Sequence, residues 1–292
     1  MSVKDVEQVV FHGVDGHRII GDAYGTGDRI VLLVHGGGQT RHAWEATAER
    51  LMATGVRAVT IDQRGHGDSE WHRDGLYSFE DYAKDLEAVA VEIRARYGMR
   101  PVVVGASLGG LASIIAEGKS DEQILKALIL VDVTPKMELG GVSRILNFMA
   151  DRMREGFSTI DEAAEVIAAY LPQRKRPASA EGLKKNLRLH EDGRYRWHWD
   201  PRFLDGPRPI HSDRETMFAW FDQAARNLTI PVMLVRGALS ELVTEELAEE
   251  FLKTVPHAKY VDVSDAGHMV AGDRNDVFAD AVIGFLGDLD VL

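Results

Sequence analysis

The feature that most constrains the fold is a β-branched run, Val102-Val103-Val104, that breaks into Gly105-Ala106-Ser107-Leu108-Gly109-Gly110 and then a small-residue helical pattern. This is the sequence form of a strand-to-helix elbow that lifts a serine oxygen clear of the backbone. So sharp a turn crowds its neighbours, so the positions two before and two after the serine must be small. Gly105 and Gly109 meet that demand. The pentapeptide by itself has little specificity. Its context adds the rest: a strand pattern before it, a Gly-rich loop upstream, and an acid and a histidine downstream.

Upstream, Ile30-Val31-Leu32-Leu33-Val34 reads as a buried strand running into His35-Gly36-Gly37-Gly38. Downstream, Pro231-Val232-Met233-Leu234-Val235-Arg236-Gly237 reads as a strand ending in a turn, followed by Ser240-Glu241. Tyr260-Val261-Asp262-Val263 is a further short strand, before Ala266-Gly267-His268. Ser107, Glu241 and His268 thus fall in the order nucleophile, acid, base, which differs from the orders of the chymotrypsin and subtilisin arrangements.

The residue types fit one chemistry. A serine hydroxyl is a poor nucleophile at neutral pH and needs a base. Imidazole titrates near neutrality and can return the proton to a leaving group, which selects His268. The ring needs an acceptor that fixes its tautomer. Glu241, just after a strand end, is the expected acceptor. Asp132 is its rival, since it ends the strand Leu128-Ile129-Leu130-Val131, although capping the turn into Val133-Thr134-Pro135 is the reading preferred for it. A tetrahedral oxyanion needs donors. The Leu108 amide, at the positive end of the following helix, is one candidate. The Gly37 amide, in a loop whose glycines let backbone approach a substrate, is the other.

With these stretches together, and with Asp62-Gln63-Arg64-Gly65-His66-Gly67-Asp68-Ser69, the chain resembles a cap-bearing α/β-hydrolase of the serine-nucleophile type. The resemblance covers roughly residues 9–133 and 229–287 and specifies fold and serine mechanism far better than substrate. It implies a mostly parallel eight-stranded sheet covered by helices, with an inserted helical cap. The resembled pattern more often has aspartate where Glu241 stands, and some relatives draw their acid from the strand end that Asp132 occupies. Epoxide hydrolases and haloalkane dehalogenases share the resembled fold but need an aspartate at the elbow, so Ser107 argues against both. The expected activity is hydrolysis of an ester, lactone or related acyl substrate through an acyl-enzyme. The alternatives are a carbon–carbon bond hydrolase or cofactor-free perhydrolase on the same triad and, from another class, a non-catalytic small-molecule receptor.

The coarse trace agrees with an α/β fold. Residues 9–11 and 18–23 read as leading antiparallel strands, and strands then alternate with helices such as 79–97, with Ser78 as N-cap. Residues 1–133 and 229–292 are expected to form the core domain. Residues 134–228 are expected to form a helical lid above the strand ends, with helices at 141–154, 159–170, 180–189 and 214–227. Phe148, Trp197, Trp199 and Trp220 are its candidates for lining a substrate pocket.

Composition narrows the classes. The chain has 292 residues and no cysteine, which removes disulfides, thiolate catalysis and cysteine metal sites. The histidines show no metal-ligand spacing, so neither metal nor cofactor is expected. The net charge of −12 argues against nucleic acid or an anionic membrane as the main partner. The expected partner is a small-molecule acyl substrate, with a homodimer left open. The start lacks a signal-peptide core, and cytoplasm is the expected location. The basic group Arg174-Lys175-Arg176, with Lys184, Lys185 and Arg188, reads as a solvated surface.

Overall fold

The computed structural model describes residues 6–171, 180–212 and 216–289. Two leading strands, β1 (Val6–His12) and β2 (Arg18–Tyr24), form an antiparallel hairpin. Strands β3 (Ile30–Val34), β4 (Arg57–Ile61), β5 (Val102–Ala106) and β6 (Ala127–Val131) follow. Three-residue strands β7 (Leu187–Leu189) and β8 (Tyr195–Trp197) make a separate hairpin. The series closes with β9 (Val232–Gly237) and β10 (Lys259–Val263). The main sheet has eight strands in the order β1-β2-β4-β3-β5-β6-β9-β10. It is parallel from β4 to β10, the expected architecture.

Burial on both faces explains the apolar runs. All of β3 is buried, and its side chains alternate between two cores. Ile30, Leu32 and Val34 face α2 (Phe79–Tyr97), α3 (Leu108–Lys119), α7 (Met217–Arg226) and α8 (Glu245–Thr254). Val31 and Leu33 face α1 (Glu45–Met52) and α10 (Asn275–Asp288), with a one-turn α9 (Val270–Asp273) beside them. Helix α2 starts where the sequence says it should: Ser78 and Asp81 form a reciprocal capping box, and Gly98 ends the helix at φ 78°.

Between β6 and β9 lie α4 (Leu139–Ala150), α5 (Ile160–Tyr170) and α6 (Arg202–Asp205), as well as α7 and the β7–β8 hairpin. The expected helix over 180–189 is instead a 3₁₀ turn, Ala180–Lys185, leading into β7. Strands of three residues carry no usable alternation, so sequence periodicity has nothing to detect there. Arg174, Lys175 and Arg176, and the expected helix start at Arg214, lie outside the described residues. Among the described residues no helix is long and apolar enough to cross a membrane.

Candidate active site

The elbow is built as its glycines require. Ser107 sits at φ 46° and ψ −113°, in a region that non-glycine residues rarely occupy. Holding it there costs about 1–3 kcal/mol, which the packed surroundings offset. A Cβ on Gly105 would lie 2.8 Å from the Gly109 carbonyl, and one on Gly109 would lie 2.6 Å from the Val34 carbonyl oxygen. Both obstacles are backbone, so neither position tolerates a side chain. Leu108 opens α3, whose first amides have no acceptor within the helix.

Ser107 and Asp132 begin at neighbouring strand ends, because β5 and β6 pair with Ala106 opposite Val131. Asp132 also has positive φ, 50°, and its side chain is fully buried. Its Oδ2 lies 2.8 Å from His268 Nδ1 and accepts the Ser240 hydroxyl at 2.6 Å, while Oδ1 accepts the Gly237 amide at 3.0 Å. The loop carrying His268 is tied to the end of β9 by the Leu239 amide donating to the Ala266 carbonyl, and to α9 by the Gly267 amide on Asp273. Across the site, Gln39 donates to Met269 Sδ at 3.2 Å and accepts the Gly36 amide at 3.0 Å. Gly36 in turn backs on Ser107, since a Cβ there would lie 3.3 Å from the Ser107 Cβ. The serine and histidine loops therefore share one rim, although Ser107 and His268 are not hydrogen-bonded to each other.

Glu241 is a correction. Its carboxylate, half exposed, pairs with Arg144 of α4 and not with His268. The reason is direction. The turn Gly237–Ser240 aims the Ser240 side chain at Asp132, and the next residue lays its backbone carbonyl against Gly141 and sends its carboxylate to Arg144. The carboxylate on the ring is that of Asp132, which the sequence reading had preferred as a turn cap.

The loop after β3 is braced by two buried histidines. Backbone amides can only donate, so the amides of Gln63 and Gly38, each at 3.0 Å, fix Nε2 of His35 and His66 as acceptors. Their Nδ1–H groups then donate to the carbonyls of Gly36 and Arg64 at 2.7 and 3.0 Å. Of the loop amides, those of Gly36, Gly38 and Gln39 are taken, and that of Gly37 has no acceptor among the described residues. The Gly37 amide is thus left without a partner there, as is the Leu108 amide at the start of α3.

Burial pushes the His35 imidazole down to about 4. Burial, with a smaller contribution from His35, pushes His66 down to about 3. Both folded values lie below the ordinary value near 6.5. Below that pH the unfolded chain takes up protons that the folded chain refuses. The stability is complete above about pH 6.5 and is lost as pH falls toward 4 and then 3. The slope approaches about 1.4 kcal/mol per pH unit for each ring. Urea unfolding at pH 7.5, 5.5 and 4.5 should show this decline, and His66→Gln should remove about half of its slope; a decline of unchanged slope in His66→Gln would contradict it.

The aromatic candidates divide. Leu108 belongs to one apolar cluster with Met149, Trp197, Trp199 and Phe203. A Cβ on Gly37 would lie 3.2 Å from Phe203 Cζ, and one on Gly38 would lie 2.9 Å from Met149 Cε. Phe203 and Met149, which sequence reading missed, therefore cover the glycine loop after β3. Trp199 stands behind Phe203 at 6.1 Å between ring centroids. Phe148 stacks on Tyr170 at 4.1 Å, and Trp197 packs on Phe157 at 5.2 Å. Trp220 is a second correction. It lies against Phe221 and under the ammonium of Lys119, at the far end of the twelve-residue α3. That helix is roughly 18 Å long, so Trp220 cannot line a pocket at Ser107.

One group among the described residues has metal-like geometry: Asp15, His17 and His72 hold ligand atoms within 4.8 Å of one another. His72 Nδ1 accepts the amides of Asp74 and Leu76, which leaves the proton on Nε2, donated to Asp15. That nitrogen has no lone pair for an ion, so the donor set does not fit a metal.

Comparison with known proteins agrees with the fold. Residues 31–281 match the alpha/beta hydrolase family. The esterase Rv0045c of Mycobacterium tuberculosis is 30% identical over 268 residues, covering 90% of this chain and 84% of the relative. The 3-hydroxybutyrate-oligomer hydrolase of Cupriavidus necator is 27% identical, covering 82% of each. A crystal structure of an alpha/beta hydrolase from Novosphingobium aromaticivorans superposes with a TM-score of 0.79 at 25% identity, over 100% of both chains. The chain belongs to the alpha/beta hydrolase family, and it is a hydrolase.

Proposed function

We propose that the protein hydrolyses carboxylic esters through Ser107, His268 and Asp132. The observation that carries this reading is the 2.8 Å contact of His268 Nδ1 with the buried Asp132 carboxylate, on the rim that holds Ser107 at its elbow. Ser107 Oγ attacks the ester carbonyl and gives its proton to His268 Nε2. The oxyanion is held by the amides of Gly37 and Leu108. The intermediate collapses and the alcohol leaves with the proton from His268. Water then attacks the acyl-enzyme by the same route, with His268 as base, and the acid is released. The Ser107–His268 hydrogen bond forms as substrate closes the site, as catalytic hydrogen bonds often tighten only in the Michaelis complex. The names of the two relatives, an esterase and an oligomer hydrolase of a hydroxy acid, support an ester as the bond cleaved.

In this reading residues 134–228 are a cap whose side chains size the acyl site. The close cover of Gly37 and Gly38 by Phe203 and Met149 points to short acyl groups. A p-nitrophenyl ester series from acetate upward tests both claims. Wild type should turn over the shortest esters best, and a folded protein that hydrolyses none of them would overturn the reading. Met149→Ala and Phe203→Ala should gain on longer chains, by about fourfold in kcat/KM for each added methylene that fills the space, from about 0.8 kcal/mol of burial apiece. Trp220→Ala should keep the wild-type profile; if it shifts the profile while Met149→Ala and Phe203→Ala do not, the pocket lies elsewhere.

A further inference from the structure

The Asp132 carboxylate takes three donors: the Gly237 amide on Oδ1, and both His268 Nδ1–H and the Ser240 hydroxyl on Oδ2. Ser240 Oγ also accepts two backbone amides, those of Leu242 and Val243, each at 3.1 Å. A hydroxyl has one proton and two lone pairs. With both lone pairs engaged, the proton has one acceptor left, Asp132 Oδ2 at 2.6 Å. The direction of this bond follows from heavy-atom positions alone.

The bond joins the loop after β9 to a carboxylate at the end of β6, and through it to the ring on the loop after β10. Gly237 and Ser240 hold opposite oxygens, so the carboxylate cannot rotate without breaking a buried hydrogen bond. Ser240 also shares with His268 the one oxygen that the ring uses. A charge-assisted donor there gives the buried carboxylate a partner it would otherwise lack and holds it in place. The geometry points to Ser240 as a positioning residue for His268, acting through Asp132. This rests on the Ser107–His268–Asp132 reading above. The competing account makes Ser240 only a turn former, for which its two amide bonds would suffice.

A double-mutant cycle separates the accounts. Ser240→Ala, Ser240→Cys and Ser240→Thr are made in the wild type, and Ser240→Ala also with Asp132→Ala. Each protein is assayed for kcat and KM on p-nitrophenyl acetate and for its melting temperature. Ser240→Ala should lower kcat about 10- to 100-fold, the usual effect of losing a hydrogen bond to a charged group, with KM within about threefold. Ser240→Cys, a weak donor of similar shape, should fall in the same direction and carries the test if the alanine variant does not fold. Ser240→Thr, which keeps the hydroxyl, should recover most of the rate. With Asp132→Ala present, Ser240→Ala should change kcat by less than about threefold, because coupled residues are not additive. Equal losses with and without Asp132, or wild-type kcat in both Ser240→Ala and Ser240→Cys, overturn the role of Ser240 alone. Full activity of Asp132→Ala overturns the acid assignment itself, and the role of Ser240 with it.

Discussion

Ser107→Ala should lower kcat on a p-nitrophenyl ester by about 10⁴- to 10⁶-fold and leave the melting temperature within a few degrees of wild type. The size of the effect follows from what the hydroxyl does. Without Oγ there is no acyl-enzyme, and only the oxyanion donors and substrate binding remain to help water. The fold survives because the turn is set by Gly105 and Gly109, whose neighbours are backbone, and alanine follows the same path as serine. KM should change little, since Oγ contributes to the transition state more than to binding. Steady-state kinetics and a thermal melt on the same preparation check both halves. Activity within tenfold of wild type would mean that the chemistry does not pass through Ser107.

Asp132→Asn should be nearly as damaging, by about 10⁴-fold in kcat, whereas Glu241→Gln should stay within about threefold. An asparagine at 132 can turn its amide toward His268 and force the wrong tautomer, which removes the lone pair that the serine proton needs. It also faces the Ser240 proton and the Gly237 amide, both of which require an acceptor. Glu241 loses only an exposed pair with Arg144. Surface pairs of this kind contribute little, because solvent screens them. The two variants, assayed on one ester at matched stability, divide the two carboxylates. An active Asp132→Asn beside an inactive Glu241→Gln would reverse the assignment.

The division between what sequence reveals and what it hides is physical. Strand β3, helix α2 with its Ser78 cap and the elbow at Ser107 were legible because each is specified by a local pattern: burial on both faces, a capping box, forced glycines. The loop that carries His268 was legible from its place after the last strand. The carboxylate that its ring meets was not. Asp132 and Glu241 both follow strands that end on the same edge, and either local sequence is acceptable there. What decides is side-chain direction, set by the positive φ of Asp132 and by the turn that points Ser240 inward. A donor such as Ser240 one residue before Glu241 was the available hint that the loop serves a carboxylate rather than supplying one. The segment between β6 and β9 was least legible. Its hairpin is too short for periodicity, and an aromatic on an amphipathic helix, as at Trp220, looks the same whether it faces a pocket or α3. Phe203 and Met149 reach the glycine loop after β3 through tertiary packing alone.

The central claim, that Ser107 is the nucleophile activated by His268, is tested most directly by intact-protein and peptide mass spectrometry after treatment with a fluorophosphonate. The account predicts one adduct per chain, on the peptide containing Ser107, formed rapidly in the wild type, slowly in His268→Ala and not at all in Ser107→Ala. A folded wild-type protein that hydrolyses esters yet takes no adduct, or takes it at a residue other than Ser107, would contradict it.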